Sequence, residues 1–256
     1  MYMELGEIRR NSFGTEMKIV EIKCHNNIII EFVDEQKYRK HTTYNNYKSG
    51  NIKNPFDKNI CGVGYIGDGK YRCKYSSGIH TPEYQNWICM IRRCYDFKRK
   101  GKYPSYYGNC TVCREWHNFQ NFAEWYSKHY YEVGTERMHL DKDILYPGNK
   151  LYSPETCLIV PQGINMLFLN KTNKRGLPNG ITQNSKGLYR AKYNEEELGE
   201  FKTLDEAYKR YTGSKKSYVL RVLEKYKGKI PEKVYRAVLK YEFDIRFDRN
   251  YVSRLQ

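Results

Sequence analysis

At Thr81 the hydrophobic spacing of this chain changes period, and that change constrains the fold more than any other feature. Upstream, two apolar runs at residues 17–22 and 28–33 are split by His25, Asn26 and Asn27, the signature of a β-hairpin. A second hairpin is predicted from residues 63–66 and 71–75, with Gly67, Asp68 and Gly69 supplying the positive φ angles of a tight turn. Downstream, Pro82 suits a first helical turn, and Tyr84, Trp87, Ile91 and Cys94 recur at helical spacing, which predicts a helix over 82–95. Phe119, Phe122, Tyr126 and Tyr130 predict another over 115–131. Strand-type and helix-type patterns in separate blocks point to an α+β chain.

The segment 138–170 reads as strand, turn at Gly148, strand after Pro154, and helix. Residues 171–180, KTNKRGLPNG, have the polar, glycine- and proline-bearing composition of a linker. Short strands follow around 180–183, 188–193 and 198–201. Thr203 with Glu206 three residues later forms a capping box, and Leu204, Ala207, Tyr208 and Tyr211 give the helix behind it an apolar stripe. Two further helices are predicted, at 214–227 and at 231–242, the second opened by Pro231 and striped by Val234, Val238 and Tyr241. The expected organisation is a small β-rich domain over 1–78, a central module over 79–172, and a three-stranded sheet with helices over 173–256.

The charge balance narrows the partner. Lys and Arg number 45 against 29 Asp and Glu, a net charge of +16, and the natural partner of such an excess is a polyanion. Release of counterions from nucleic acid would supply much of the affinity without any reading of sequence, although basic composition alone also fits ribosome-associated or membrane-surface proteins. The 26 tyrosines serve equally as core material and as stacking faces. No run approaches the ~20 apolar residues that span a bilayer, so no membrane partner is expected. The N-terminus lacks the pattern of a secretory signal, so a cytoplasmic setting is expected. Eight cysteines there would stay reduced. Cys110-Thr-Val-Cys113 has the spacing of a zinc knuckle, with Cys94, Cys89, His117 or His129 as further ligands for a structural Zn²⁺. The other reading of these cysteines is as small hydrophobes behind aromatic helices.

Three stretches in one order, YQNWICMIRRCY, CTVCREWHNFQNFAEW and LDKDILYPGNKLYSPETCLIVPQGIN, together resemble a phage and bacterial HNH-derived endonuclease family. The resemblance covers about a third of the chain. It implies a ββα-metal module, in which two strands and a helix hold one divalent ion, Mg²⁺ or Mn²⁺, against the scissile phosphate. By the resemblance Asp141, Asp143 and Asn165 hold the metal, and residues 152–157 close the loop, with Thr156 where many relatives have Asn. The sequence departs from the pattern at the general base, because Asp141-Lys142-Asp143-Ile144 contains no histidine. His139, two residues earlier, or a carboxylate would have to serve instead, with Lys142 stabilising charge on the phosphate.

The string LGEFKTLDEAYKRY, after GITQNSKGLYRAKY, resembles the sheet-and-helix DNA reader of the ethylene-response-factor type. That resemblance implies a sheet in the major groove, with Tyr189, Arg190 and Lys192 on its second strand as contacts. Lys215, Lys216 and Arg221 extend the basic surface onto the following helices. Two functions follow from the two resemblances: a metal-dependent DNA endonuclease or nickase with an atypical site, or a non-catalytic regulator. The regulator would use the HNH scaffold to bind DNA or a host nucleic-acid-handling protein, as an anti-defence inhibitor does.

Overall fold

The computed structural model describes residues 3–251, which divide into two compact units at residues 127 and 128. The protein is a mixed α/β chain with several small sheets. In the first unit, β1 (Ile8–Arg10), β2 (Glu16–Cys24), β3 (Asn27–Phe32) and β4 (Arg39–Thr42) form an antiparallel meander in sequence order. The expected hairpin is its centre, with Met17 opposite Phe32 and Ile19 opposite Ile30. Strand alternation sends Met17, Ile19, Ile28, Ile30 and Phe32 to one fully buried face. Tyr44 and Tyr47 of the short helix α1 (Tyr44–Lys48) close that face. The Tyr47 hydroxyl donates to the carbonyl of Glu7 at 2.7 Å, which satisfies the polar tip of an otherwise buried ring.

The second expected hairpin does not form. Residues 63–66 and 71–75 make isolated bridges, Ile60 to Gly64, Tyr65 to Asn118 and Lys74 to His80, and do not pair with each other. The reason lies in helix α3 (Phe119–His129). The Gln120 amide donates to the carbonyls of Ile66 and Tyr71 and accepts from the Tyr71 N–H at 2.9 Å, taking the hydrogen bonds a ladder would have used. Gly67, at φ +72°, leaves room for the Asn118 amide to sit where a Cβ would be.

Helix α2 (Pro82–Tyr95) has the predicted bounds, with Thr81 as its N-cap. The predicted helix over 115–131 is broken at its start: Arg114–His117 is a 3₁₀ turn, Asn118 is extended, and α3 begins only at Phe119. The Asn118 side chain accepts from the Gln120 N–H at 3.0 Å and so starts the new helix. The core between these helices is aromatic. Trp116 lies 4.7 Å from Trp125 and 5.0 Å from Phe122, and Trp87 lies 5.4 Å from Phe119. The Trp87 indole donates to the Trp116 carbonyl at 2.7 Å.

In the second unit, β5 (Met138–Asp141) and β6 (Leu158–Pro161) pair antiparallel, with Asp141 opposite Leu158, and α4 (Gln162–Leu167) follows directly. Next come β7 (Ile181–Gln183), β8 (Tyr189–Tyr193) and β9 (Glu196–Phe201), an antiparallel sheet with β8 in the middle. The β8–β9 turn is made by Asn194 and Glu195, both at positive φ, as a two-residue hairpin requires.

Thr203 and Glu206 form the predicted capping box of α5 (Leu204–Glu224). This helix corrects the prediction of a separate helix at 214–227, because it runs unbroken through Gly213 for 21 residues. The hydroxyls of Thr212 and Ser217 bond back to the carbonyls of Tyr208 and Gly213, so these residues cost the helix little. Its first half buries Ala207 and Tyr211 against Ile181, Ala191 and Leu198 of the sheet. Its second half buries Val219 and Leu223 against Ile144, Leu158, Val160 and Ile164, joined by Val234 and Val238 of α6 (Glu232–Lys240). The expected boundary near residue 172 therefore does not divide the core, since strands from one side and helices from the other share it.

This shared core predicts that Leu223→Ala costs about 2–5 kcal/mol of stability. Chemical denaturation would measure the loss, and hydrogen exchange should show reduced protection at Leu158 and Val160 as well as in α5. Unchanged protection in β5 and β6 would mean that the strands hold together without the helix.

Candidate functional site

Asp141 ends β5, and the chain turns immediately over its side chain. The Asp141 carboxylate accepts from the backbone N–H groups of Asp143 and Ile144, both at 2.8 Å. A carboxylate at this position therefore has a local structural cause, a turn that caps itself. Burial first, and the neighbouring Asp143 carboxylate second, push the Asp141 carboxyl up from 3.8 to about 6, against the two N–H donors and the Lys142 ammonium. Repulsion from Asp143 thus adds to the cost of ionising a carboxyl that burial already disfavours.

Lys142 supplies one such cation from within the chain. Only 6% exposed, it sets its ammonium 2.5 Å from Asp143 Oδ1 and 2.6 Å from the carbonyl of Asn149. Asn149 in turn donates to the carbonyls of Lys142 and Leu151, which ties the 142–151 loop across its neck. Thr156 closes the far side by donating to the Leu151 carbonyl at 2.7 Å. His139 shares a strand face with Asp141, is half-buried, and lies opposite Val160. Asn165 sits on α4, which packs against both strands.

Sequence reasoning missed Tyr241. Its spacing places it in an apolar helical stripe, but it caps α6, and its hydroxyl is held protonated by burial and by the Asp143 and Asp141 charges. Nothing in the spacing distinguishes such a tyrosine from a core residue. Cys157, fully buried beside the site, has its thiol pushed up to about 12 chiefly by burial, so it offers no nucleophile at neutral pH.

Among the described residues, no three His, Cys, Asp or Glu side chains come together to hold a metal ion. Cys110 and Cys113 keep the spacing of half a zinc site without a third such ligand among the described residues. Cys94 and Cys110 are buried, in keeping with a place behind the aromatic helices.

On the sheet, Ala191 faces the helix, and the neighbouring Arg190 and Lys192 therefore face solvent. Each meets acids there: Arg190 lies 2.5 Å from Glu200, and Lys192 lies 2.9 Å from Glu195 and 3.9 Å from Glu197. Tyr189 packs at the edge of the sheet core. Lys216 donates to the carbonyls of Leu239 and Tyr241, so it caps the end of α6. The Lys215 ammonium lies 4.6 Å from the centre of the Phe243 ring, and the exposed Arg221 guanidinium lies 5.2 Å from that of Tyr218. No helix among the described residues is long and apolar enough to cross a membrane. No protein-family model, curated protein or solved structure matches this chain.

The raised Asp141 carboxyl gives a stability prediction. A carboxyl whose folded-state pKa lies above its unfolded value favours the fold while protonated, and this contribution is lost as pH rises through about 6. Asp141→Asn keeps an acceptor for both N–H groups and removes the charge. The variant should be more stable than the parent by about 1–3 kcal/mol at around pH 8 and equal to it near pH 3, as read by urea denaturation at both values.

Proposed function

We propose that this protein binds double-stranded DNA and that its strand-turn-strand-helix unit is the HNH-like centre of a metal-dependent endonuclease or nickase. The observation that carries this reading is the carboxylate pair Asp141 and Asp143 at the end of β5, in a strand pair followed directly by the helix that bears Asn165. Carboxylate and amide oxygens suit a hard divalent cation, and the charge of Asp143 beside the buried Asp141 makes added positive charge favourable there. Asp141, Asp143 and Asn165 would hold the ion. Once bound, Mg²⁺ or Mn²⁺ supplies an electrophile for the charge that builds on the phosphate oxygens during cleavage.

The chain's own residues then have definite roles. Lys142, held by Asp143 and Asn149, keeps a positive charge beside the carboxylates, and Tyr241 offers them a protonated hydroxyl. With no histidine at the expected base position, water activation falls to His139 or to a carboxylate, and turnover is slow at neutral pH and rises with pH. Supercoiled plasmid incubated with Mg²⁺ or Mn²⁺ should be nicked by the parent and not by Asn165→Ala or Asp141→Ala. Cleavage that survives a chelator, or that is equal in parent and variants, would reject the site.

One observation favours a second reading, in which the unit is a catalytically silent scaffold that binds DNA or a host nucleic-acid-handling protein as an anti-defence regulator. Lys142 already neutralises Asp143 from inside, so the loop has a cation of its own. Cleavage of no substrate under any metal, with DNA binding retained, is the outcome that reading expects.

Duplex binding through the sheet is restrained by its acids. Arg190→Ala with Lys192→Ala should weaken it, whereas Glu195→Gln, Glu197→Gln and Glu200→Gln together should strengthen it and steepen its salt dependence. Fluorescence anisotropy across a salt series measures both. Affinity indifferent to all five positions would move the duplex off the sheet.

A further inference from the structure

A cleft of about 640 Å³ opens within the second unit along α5, lined by Tyr193, Tyr218, Lys215, Lys225, Lys229 and Glu136 among others. Lys215, Tyr218, Val222 and Lys225 recur at three- and four-residue spacing, so they form one stripe of the helix and its C-cap. Tyr193 of β8 stands 5.8 Å from Tyr218, edge to face, which sets two aromatic rings in the same wall. Across from them the rim is apolar: Met166 is 52% and Leu169 46% exposed.

The charges in the cleft are unequal in a useful way. Glu136 is the acid lining it, and its carboxylate is already engaged by the Tyr226 hydroxyl at 2.8 Å and the Gly163 N–H at 2.9 Å. Gly163 is required for this, because a Cβ there would collide with the Tyr226 hydroxyl. Lys227 on the outer side is paired with Glu224 at 3.2 Å, whereas among the described residues Lys225 and Lys229 have no ion pair. Uncompensated ammonium groups therefore face the cleft, beside aromatic rings. A volume of this order encloses one small-molecule-sized group and excludes a duplex.

We propose that this cleft takes an unpaired nucleotide of a single DNA strand, with the base against Tyr193 and Tyr218 and the phosphates against Lys225 and Lys229. The inference rests on the DNA-binding reading above and adds a site distinct from the exposed sheet face. Rings with cations along the backbone path are how single strands are held without regard to sequence. The groups come from β8, α4 and α5 together, so the cleft exists only where the strand-turn-strand-helix unit and the reader are joined.

The test uses the full chain with a labelled oligothymidylate and, separately, a blunt duplex, both followed by anisotropy. Tyr218→Leu, which keeps apolar bulk, should lose about 5- to 100-fold in single-strand affinity. Lys225→Gln with Lys229→Gln, both at the surface, should lower the salt slope by roughly 0.7 per lysine and leave the fold unchanged by circular dichroism. Duplex affinity should barely move with Tyr218→Leu. Single-strand binding equal in parent and all variants would put the strand elsewhere and overturn the proposal. Duplex binding without single-strand binding overturns the cleft and leaves the duplex reading standing; single-strand binding alone, lost in the variants, does the reverse. Binding of neither sinks both.

Discussion

Burial on two successive stretches of α5 is the constraint on which the second unit depends. Ala207 and Tyr211 belong to the core of the three-stranded sheet, and Val219 and Leu223 to the core of the strand pair and α4. Twelve residues of helix separate Ala207 from Val219, about 18 Å of rigid rod. Neither small sheet has enough apolar area to stand alone, since isolated two- and three-stranded pieces are marginal in water. One continuous helix lends each the second layer it lacks. This explains why Gly213, a helix weakener by about 1 kcal/mol, does not split α5: cores on both sides hold it.

The same arrangement redistributes the charge that first pointed to a polyanion. A net charge of +16 suggests basic surface wherever lysine and arginine occur, but many of these groups are occupied. Lys142 is buried under its own loop, Lys216 caps α6, and Arg190 and Lys192 are matched by glutamates on the sheet. Side chains with intramolecular partners must give those up before they meet a phosphate, so composition overstates the sheet's attraction. The sum is a property of the chain; where it acts is a property of pairing.

The elements legible in the sequence were those whose signals are local. The 17–33 hairpin, α2 behind Thr81 and Pro82, the capping box at Thr203, and the strand order of the second unit needed only periodicity and caps. What escaped depended on groups far away in sequence. The hairpin expected around Gly67 failed because Gln120, 49 residues beyond Tyr71, took its hydrogen bonds. The break before α3 followed from Asn118 being drawn to the same glycine turn. At the carboxylate site, Asp141, Asp143 and Lys142 are named by the family resemblance. That Lys142 turns inward to Asn149, and that Tyr241 approaches from α6, could not be read in the sequence, because neither spacing nor residue type encodes a contact between elements.

The bond between Tyr226 and Glu136 links positions 90 residues apart. A chain synthesised from its N-terminus at about 5–20 residues per second presents the 138–161 strands before their partner helix exists, with a wait of roughly 3–13 seconds. During that interval Leu158 and Val160 have no second layer, and the turn that holds Asp141 and Lys142 has no core beneath it. The carboxylate loop is thus among the last parts to become rigid. A product truncated before α5 would carry every residue of the loop and its internal hydrogen bonds, but not the apolar layer beneath them. Burial of the strand pair by α5 is therefore the step that fixes the geometry of the loop.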